Sequence, residues 1–204
     1  IVFSSTAAVY GDATEMPVME STPTKCLSPY AEHKLLAENV VISSSIPSIS
    51  LRYFNVHGAR QDPRGAYAAV IPKFIKKIIE GEGPVILGDG EQSRDFTYVS
   101  NAVDANIAAL MSENNDAFGR VYNIACGSRL TINQIFSELR SLISKDIPEA
   151  MSIEAVYEEE RAGDVKHSLA DISLASEYLG YEPMINPSEG LMKTVYSHIS
   201  EQRA

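Results

Sequence analysis

The order of three short segments constrains this chain most. Residues 1–4 are an apolar run that passes directly into small polar residues, the pattern of a buried strand. Ser28-Pro29 opens a helix with proline in its first turn. Leu35, Leu36, Val40 and Val41 then recur at helical spacing until Pro47. Residues 49–54 (ISLRYF) form a second strand. Strand, helix, strand is a βαβ unit, whose two strands run parallel because the crossover returns the chain to its starting end. Parallel sheets are covered on both faces. The chain is therefore of the α/β class, built on a doubly wound parallel sheet.

The rest of the chain continues the alternation. Helices are expected over 70–80, 102–111, 131–143, 171–179 and 187–199, with Thr131, Asp171 and Asn186 as N-caps. Strands are expected over 85–87, 96–99, 121–124 and 153–157. Residues 61–68 read as a polar loop. With 204 residues and 45% hydrophobic content, the chain is long enough to bury a sizeable core.

Charge and composition exclude several functions. The net charge of −10 argues against a protein that neutralises a long nucleic-acid backbone. It leaves room for a nucleotide, since a few well-placed donors hold two phosphates. Cys26 and Cys126 stand alone, outside any metal-ligand spacing, which argues against a zinc site and fits a reducing, cytoplasmic setting. No apolar run reaches the length of a membrane helix, and no secretory leader is expected. A start at Ile1, inside a strand, leads to the expectation that the chain is part of a longer protein.

Chemistry concentrates at three places. SSTAAVYG (4–11) ends the first strand, YAEHK (30–34) opens the helix, and RYFN (52–55) ends the second strand. Tyr30 and Lys34 are four residues apart and share a helix face. A phenol is a poor base at neutral pH, but a neighbouring ammonium favours its phenolate. Such a pair makes a general base for an alcohol proton. Thr6 supplies a hydroxyl at the carboxyl end of a parallel strand, where open α/β sheets bind ligands. A lone Tyr-x-x-x-Lys is a weak signal; the three features in this order on one βαβ unit are a strong one.

Together these residues resemble the Ser/Thr, Tyr, Lys triad of extended short-chain dehydrogenases/reductases, and specifically the nucleotide-sugar 4-epimerases. RYFNVHG (52–58), GDGEQSRDFTYV (88–99), VYNIACG (121–127) and RAGDVKHS (161–168) extend the resemblance over essentially the whole chain. The resemblance implies a Rossmann-like sheet in residues 1–60, to which 96–112 return, and a smaller α/β substrate domain in 61–204. It implies NAD as cofactor, held here by Ser4, Tyr30, Lys34 and Tyr53. Thr6, Tyr30 and Lys34 become the catalytic residues. Ser5, Thr6, Asn55, Ala69, Val70, Arg94, Arg161, Asp164 and Ser168 become the UDP-sugar contacts, with Arg94 and Arg161 on phosphate and Asp164 on ribose hydroxyls. No metal is implied, and a homodimer is.

Within that family, 4,6-dehydratases carry Asp-Glu after the catalytic Ser/Thr and decarboxylases carry a Glu. Here Ala7 and Ala8 stand there, and neither can act as acid or base. That favours epimerisation at C4 without elimination. Ser168 falls where enzymes restricted to UDP-glucose carry a bulky Tyr; a small side chain leaves space for an N-acetyl group. GARQDPRGAYAAVIPKF (58–74) also resembles the N-acetyl-sugar epimerases. UDP-GlcNAc/UDP-GalNAc interconversion is the favoured reading, with UDP-Glc/UDP-Gal beside it. The alternatives are a dehydratase or decarboxylase of the same family, a non-catalytic UDP-sugar-binding remnant, and a dimerisation module. The glycine-rich turn that cradles the NAD pyrophosphate in this family has no counterpart within these residues and would precede Ile1.

Overall fold

A computed structural model describes residues 1–64, 69–160 and 165–203. Its central sheet has three parallel strands, β1 (Val2–Thr6), β2 (Ile49–Tyr53) and β7 (Arg120–Ile124), in the order β1-β2-β7. The registers bring Thr6 opposite Tyr53, and Tyr53 opposite Ile124. Alternation then sorts the side chains by face. Ile49, Leu51, Tyr122 and Ile124 are all fully buried on one face, among Ala105 and Ala109 of α3 (Val99–Met111) and Ala175 of α5 (Ser173–Leu179). Ser50, Arg52 and Asn123 point to the other face, where Ser50 and Arg52 meet α1 (Pro29–Ile42) and Asn123 meets Tyr10 and the Val18 backbone. Helices on both faces make the sheet doubly wound, the α/β architecture expected.

The reasons for α1 are local. Ser28 Oγ accepts from the Ala31 N–H at 3.2 Å, and Pro29 occupies the first helical position, where a missing N–H costs nothing. The helix ends at Ser43, four residues before Pro47.

A second cluster forms between α2 (Val70–Ile79), α4 (Ile132–Ile143) and α6 (Pro187–Arg203). Ile71, Phe74, Ile75 and Ile78 make one stripe of α2 and are buried against Ile135, Phe136 and Leu139 of α4. Full burial of each such side chain stabilises by about 1.5–3 kcal/mol. Thr131 and Gln134 form a reciprocal capping box that starts α4. Asn186 Oδ1 accepts from Glu189 N–H at 3.0 Å and caps α6.

The remaining strands are short. β4 (Val85–Leu87) pairs in parallel with β9 (Val156–Glu158), β3 (Val56–His57) with β6 (Thr97–Tyr98), and β5 (Ser93–Arg94) lies antiparallel to β8 (Leu130–Thr131). The strand expected over 96–99 is two residues long, and α3 begins at Val99 rather than at 102. No polar cap marks that start, so nothing local announced it. Asp171 acts one residue earlier than a standard cap: α5 begins at Ser173, whose N–H bonds Asp171 Oδ1 at 2.8 Å.

Candidate active site

The carboxyl ends of β1 and β2 lie side by side, as a parallel pair must, and the first site residues gather there. Lys34 reaches from α1 and donates to the Ser4 backbone oxygen at 2.9 Å. Its ammonium also lies 5.3 Å from the centre of the Phe3 ring. Tyr30 is one turn ahead of Lys34, at the exposed start of α1. Thr6 Oγ1 accepts from Ala8 N–H at 3.2 Å, which leaves the hydroxyl proton available to donate outward. Ala7 and Ala8 belong to the 3-10 turn Ala7–Tyr10 that Thr6 starts.

Tyr53 and Ser4 meet on the α3 face of the sheet, with their oxygens 3.4 Å apart. Asn106 of α3 donates to the Tyr53 hydroxyl at 2.7 Å and holds the ring in place. Ser5 points the opposite way. Its oxygen is buried, with no hydrogen-bond partner among the described residues.

Asn55 follows β2 at φ +37°, a left-handed conformation that asparagine tolerates better than most residues. Its carboxamide donates to Asp95 O at 2.9 Å, and its own carbonyl accepts from Thr97 N–H at 3.2 Å. That tie brings the 93–97 segment, and Arg94 with it, to the end of β2. Arg94 donates to Ser93 O at 3.0 Å and Lys166 O at 3.1 Å. Ser168 N–H bonds Ser93 O at 3.0 Å, so Ser168 stands beside the same segment.

Asn55, Ala69, Val70 and Arg94 together line a cavity of about 740 Å³, walled on its apolar side by Phe74 and Phe96. Cavities of roughly 300–1,000 Å³ hold small organic ligands. Thr6, Tyr30, Lys34, Ser5 and Ser168 are not among its lining residues. Arg161 and Asp164 lie outside the described residues.

Burial shapes the titrating groups around this region. The Asp95 carboxylate accepts from Cys126 N–H at 2.9 Å and Ala170 N–H at 3.3 Å, yet loss of water still pushes it up to about 6. Burial pushes the Cys126 thiol up to about 11, which makes it a poor nucleophile.

Sequence reasoning missed two residues here. Glu38 sits two turns after Tyr30 on the same face of α1, and forms a buried ion pair with Arg52 of β2. Tyr10 lies against the same guanidinium. One signal was present: an arginine in an otherwise buried strand requires a buried carboxylate. The strand partner itself is set by the fold.

The profile of the NAD dependent epimerase/dehydratase family matches residues 1–125. Among solved structures, the chain is 43% identical to a UDP-N-acetylglucosamine 4-epimerase from Methanobrevibacter ruminantium M1 in complex with UDP-N-acetylmuramic acid. The TM-score is 0.85, covering 98% of this chain and 63% of that one. It is 35% identical to the UDP-glucose 4-epimerase of Thermotoga maritima with UDP-glucose, at a TM-score of 0.88, over 98% of this chain and 63% of that one. It is also 31% identical to a UDP-N-acetyl-alpha-D-glucosaminuronate decarboxylase of Bacillus cytotoxicus, over 96% of this chain and 62% of the relative. The chain thus spans about three fifths of the length of these relatives. With more than half of its residues matched by the profile and the site motifs in their places on the sheet, the chain belongs to the NAD dependent epimerase/dehydratase family.

Proposed function

We propose that this chain is the catalytic and sugar-binding portion of an NAD-dependent UDP-sugar 4-epimerase, acting on UDP-GlcNAc/UDP-GalNAc and with space for UDP-Glc/UDP-Gal. The observation that carries the reading is the Lys34–Ser4 hydrogen bond, which ties the Tyr30 helix to the strand bearing Thr6. The cavity beside Asn55 and Arg94 supports it.

The residues fit the nicotinamide end of NAD. Lys34 bonds the Ser4 backbone oxygen from the α1 side, and the Ser4 and Tyr53 hydroxyls meet on the α3 side, so a cation and two hydroxyls flank the adjacent strands β1 and β2, beyond whose carboxyl ends such cofactors lie. The chemistry NAD supplies when bound is reversible acceptance of the C4 hydride, which turns the 4-hydroxyl carbon into a ketone and back. Tyr30, as phenolate, takes the 4-hydroxyl proton and later returns it. Lys34, one turn along α1 and fixed by its bond to Ser4 O, is the cationic partner of Tyr30 and holds the ribose. Thr6 hydrogen-bonds the C4 oxygen and fixes its place. Asn55, Arg94, Arg161 and Asp164 keep UDP anchored while the 4-keto sugar turns over. Ala69 and Val70 pack against the nucleotide, and Ser5 and Ser168 flank the sugar.

A decarboxylase is the second reading, favoured by one relative's identity. Ala7 and Ala8 speak against it, because neither can drive elimination or loss of CO₂. In this reading the intact protein is a cytoplasmic homodimer. The two thiols are free, and among the described residues no helix is long and apolar enough to cross a membrane. Leu36 and Val40 of α1 and Val103, Ile107 and Leu110 of α3 are exposed at helical spacing. Leu36→Glu with Val40→Glu, one turn apart on α1, should convert a dimer to monomers in sedimentation; an unchanged mass would remove the α1 face from the interface.

The deciding experiment is NMR of UDP-GlcNAc and UDP-Glc, each incubated with the full-length protein and NAD. The C4 epimer is the expected product. A 4-keto-6-deoxy sugar or CO₂ would select the dehydratase or decarboxylase reading. Binding of UDP-sugar without any product would select the non-catalytic remnant.

A further inference from the structure

Tyr30, Lys34 and Glu38 recur every four residues and form one stripe on α1. Lys34 is tied to Ser4 of β1, and Glu38 is tied to β2 by a fork. Arg52 Nε donates to Glu38 Oε2 at 3.1 Å and Nη2 to Oε1 at 2.5 Å. Ser50 Oγ adds a third bond to Oε2 at 3.2 Å. Arg52 is 5% exposed and Glu38 1%.

The other side of the same guanidinium holds a second element. Arg52 stacks on the Tyr10 ring at 4.7 Å, and the Tyr10 hydroxyl donates to Asn123 Oδ1 at 2.7 Å. Arg52 Nη1 also reaches Glu20 O at 3.4 Å. Tyr10 closes the 3-10 turn that begins at Thr6. One side chain therefore holds both the helix that bears Tyr30 and the turn that bears Thr6.

Stability alone is a weak reason for such a pair. Matched apolar residues often serve as well as a buried ion pair or better. A bidentate fork supplies what they lack, a fixed distance and orientation between two elements.

We propose that Arg52 and Glu38 are positioning residues, whose buried fork sets the height of the Tyr30–Lys34 stripe against the Thr6 turn. This rests on the reading of Tyr30 and Thr6 as the groups that act on the sugar.

The test is made in the full-length protein with three variants, Arg52→Lys, Glu38→Gln, and the apolar pair Arg52→Met/Glu38→Leu. The pair keeps the interface filled, so it guards against simple unfolding. The expected result is a fall in kcat of about a hundredfold in the apolar pair, with KM within about twofold, because a misplacement of about 1 Å costs that much. Arg52→Lys keeps the charge but loses the fork, and should also lose most of kcat. The Cζ resonance of ¹³C-labelled Tyr30 should move in the apolar pair. Parent kcat in a folded apolar pair, or in Arg52→Lys, would overturn the proposal. So would an unmoved Tyr30 resonance. If the parent itself makes no epimer, the proposed function fails, and the Tyr30 resonance alone still decides whether the fork positions the helix.

Discussion

The ammonium of Lys34 donates to the backbone oxygen of Ser4 at 2.9 Å, a bond between residues 30 apart that joins the helix of one chemical group to the strand of another. Backbone oxygens do not move independently of their strand, so Lys34 is fixed relative to Thr6, two residues on. Tyr30, one turn from Lys34, inherits that placement. Tyr30→Phe removes the proton acceptor and leaves the ring. Turnover should fall by about 10²–10⁴-fold, the range for a lost general base. UDP-sugar affinity by calorimetry should stay within about twofold. Loss of affinity instead would mean that Tyr30 binds rather than reacts.

Arg94 tests the other end of the site. Arg94 lines the cavity with Asn55, Ala69 and Val70. In the proposed reading it holds phosphate, a group distant from C4. Arg94→Ala should therefore raise KM by about ten- to a hundredfold, the value of a charged hydrogen bond of roughly 1.5–3 kcal/mol. The rate at saturation should change far less. A kcat loss at unchanged KM would place Arg94 in the chemical step.

Much of this was legible because its causes are local. Ser28-Pro29 and the Thr131–Gln134 box are complete within four residues, and both helices start as read. The stripe Ile132, Ile135, Phe136, Leu139 predicts burial by period alone, and all four are buried. Leu139→Ala should cost about 2–5 kcal/mol in urea denaturation, and Thr131→Ala about 1 kcal/mol. A larger cost at the cap than at the core would invert that ranking. The misses have non-local causes. The two-residue strands β3, β5 and β8 are too short to show any period, and they exist because distant segments meet. Glu38 announces its helix face but not its strand partner, since Arg52 finds it only once α1 lies on the sheet.

His57 shows how burial couples the fold to pH. Thr194 spends its hydroxyl proton on Gly190 O at 2.8 Å, so His57 Nδ1 carries the proton in the 3.0 Å bond between them. Nε2 is then a bare, buried nitrogen with no partner among the described residues. Burial lowers this imidazole from 6.5 to about 4. The folded chain keeps it neutral, whereas the unfolded chain protonates it below about pH 6.5. His57 therefore stabilises least at low pH: its contribution is lost as pH falls from about 6.5 towards 4. Asp95 has the opposite sign, since its raised carboxyl makes ionisation costly and stability falls as pH rises from about 4 to about 6. The two oppose each other across the same window, so a single pH curve separates neither. A comparison does. His57→Asn keeps a donor for Thr194 and removes the titration. Between pH 7 and pH 4.5 the parent should lose about 2 kcal/mol more than the variant in urea denaturation. Equal losses would show that the His57 imidazole accepts its proton without leaving the fold.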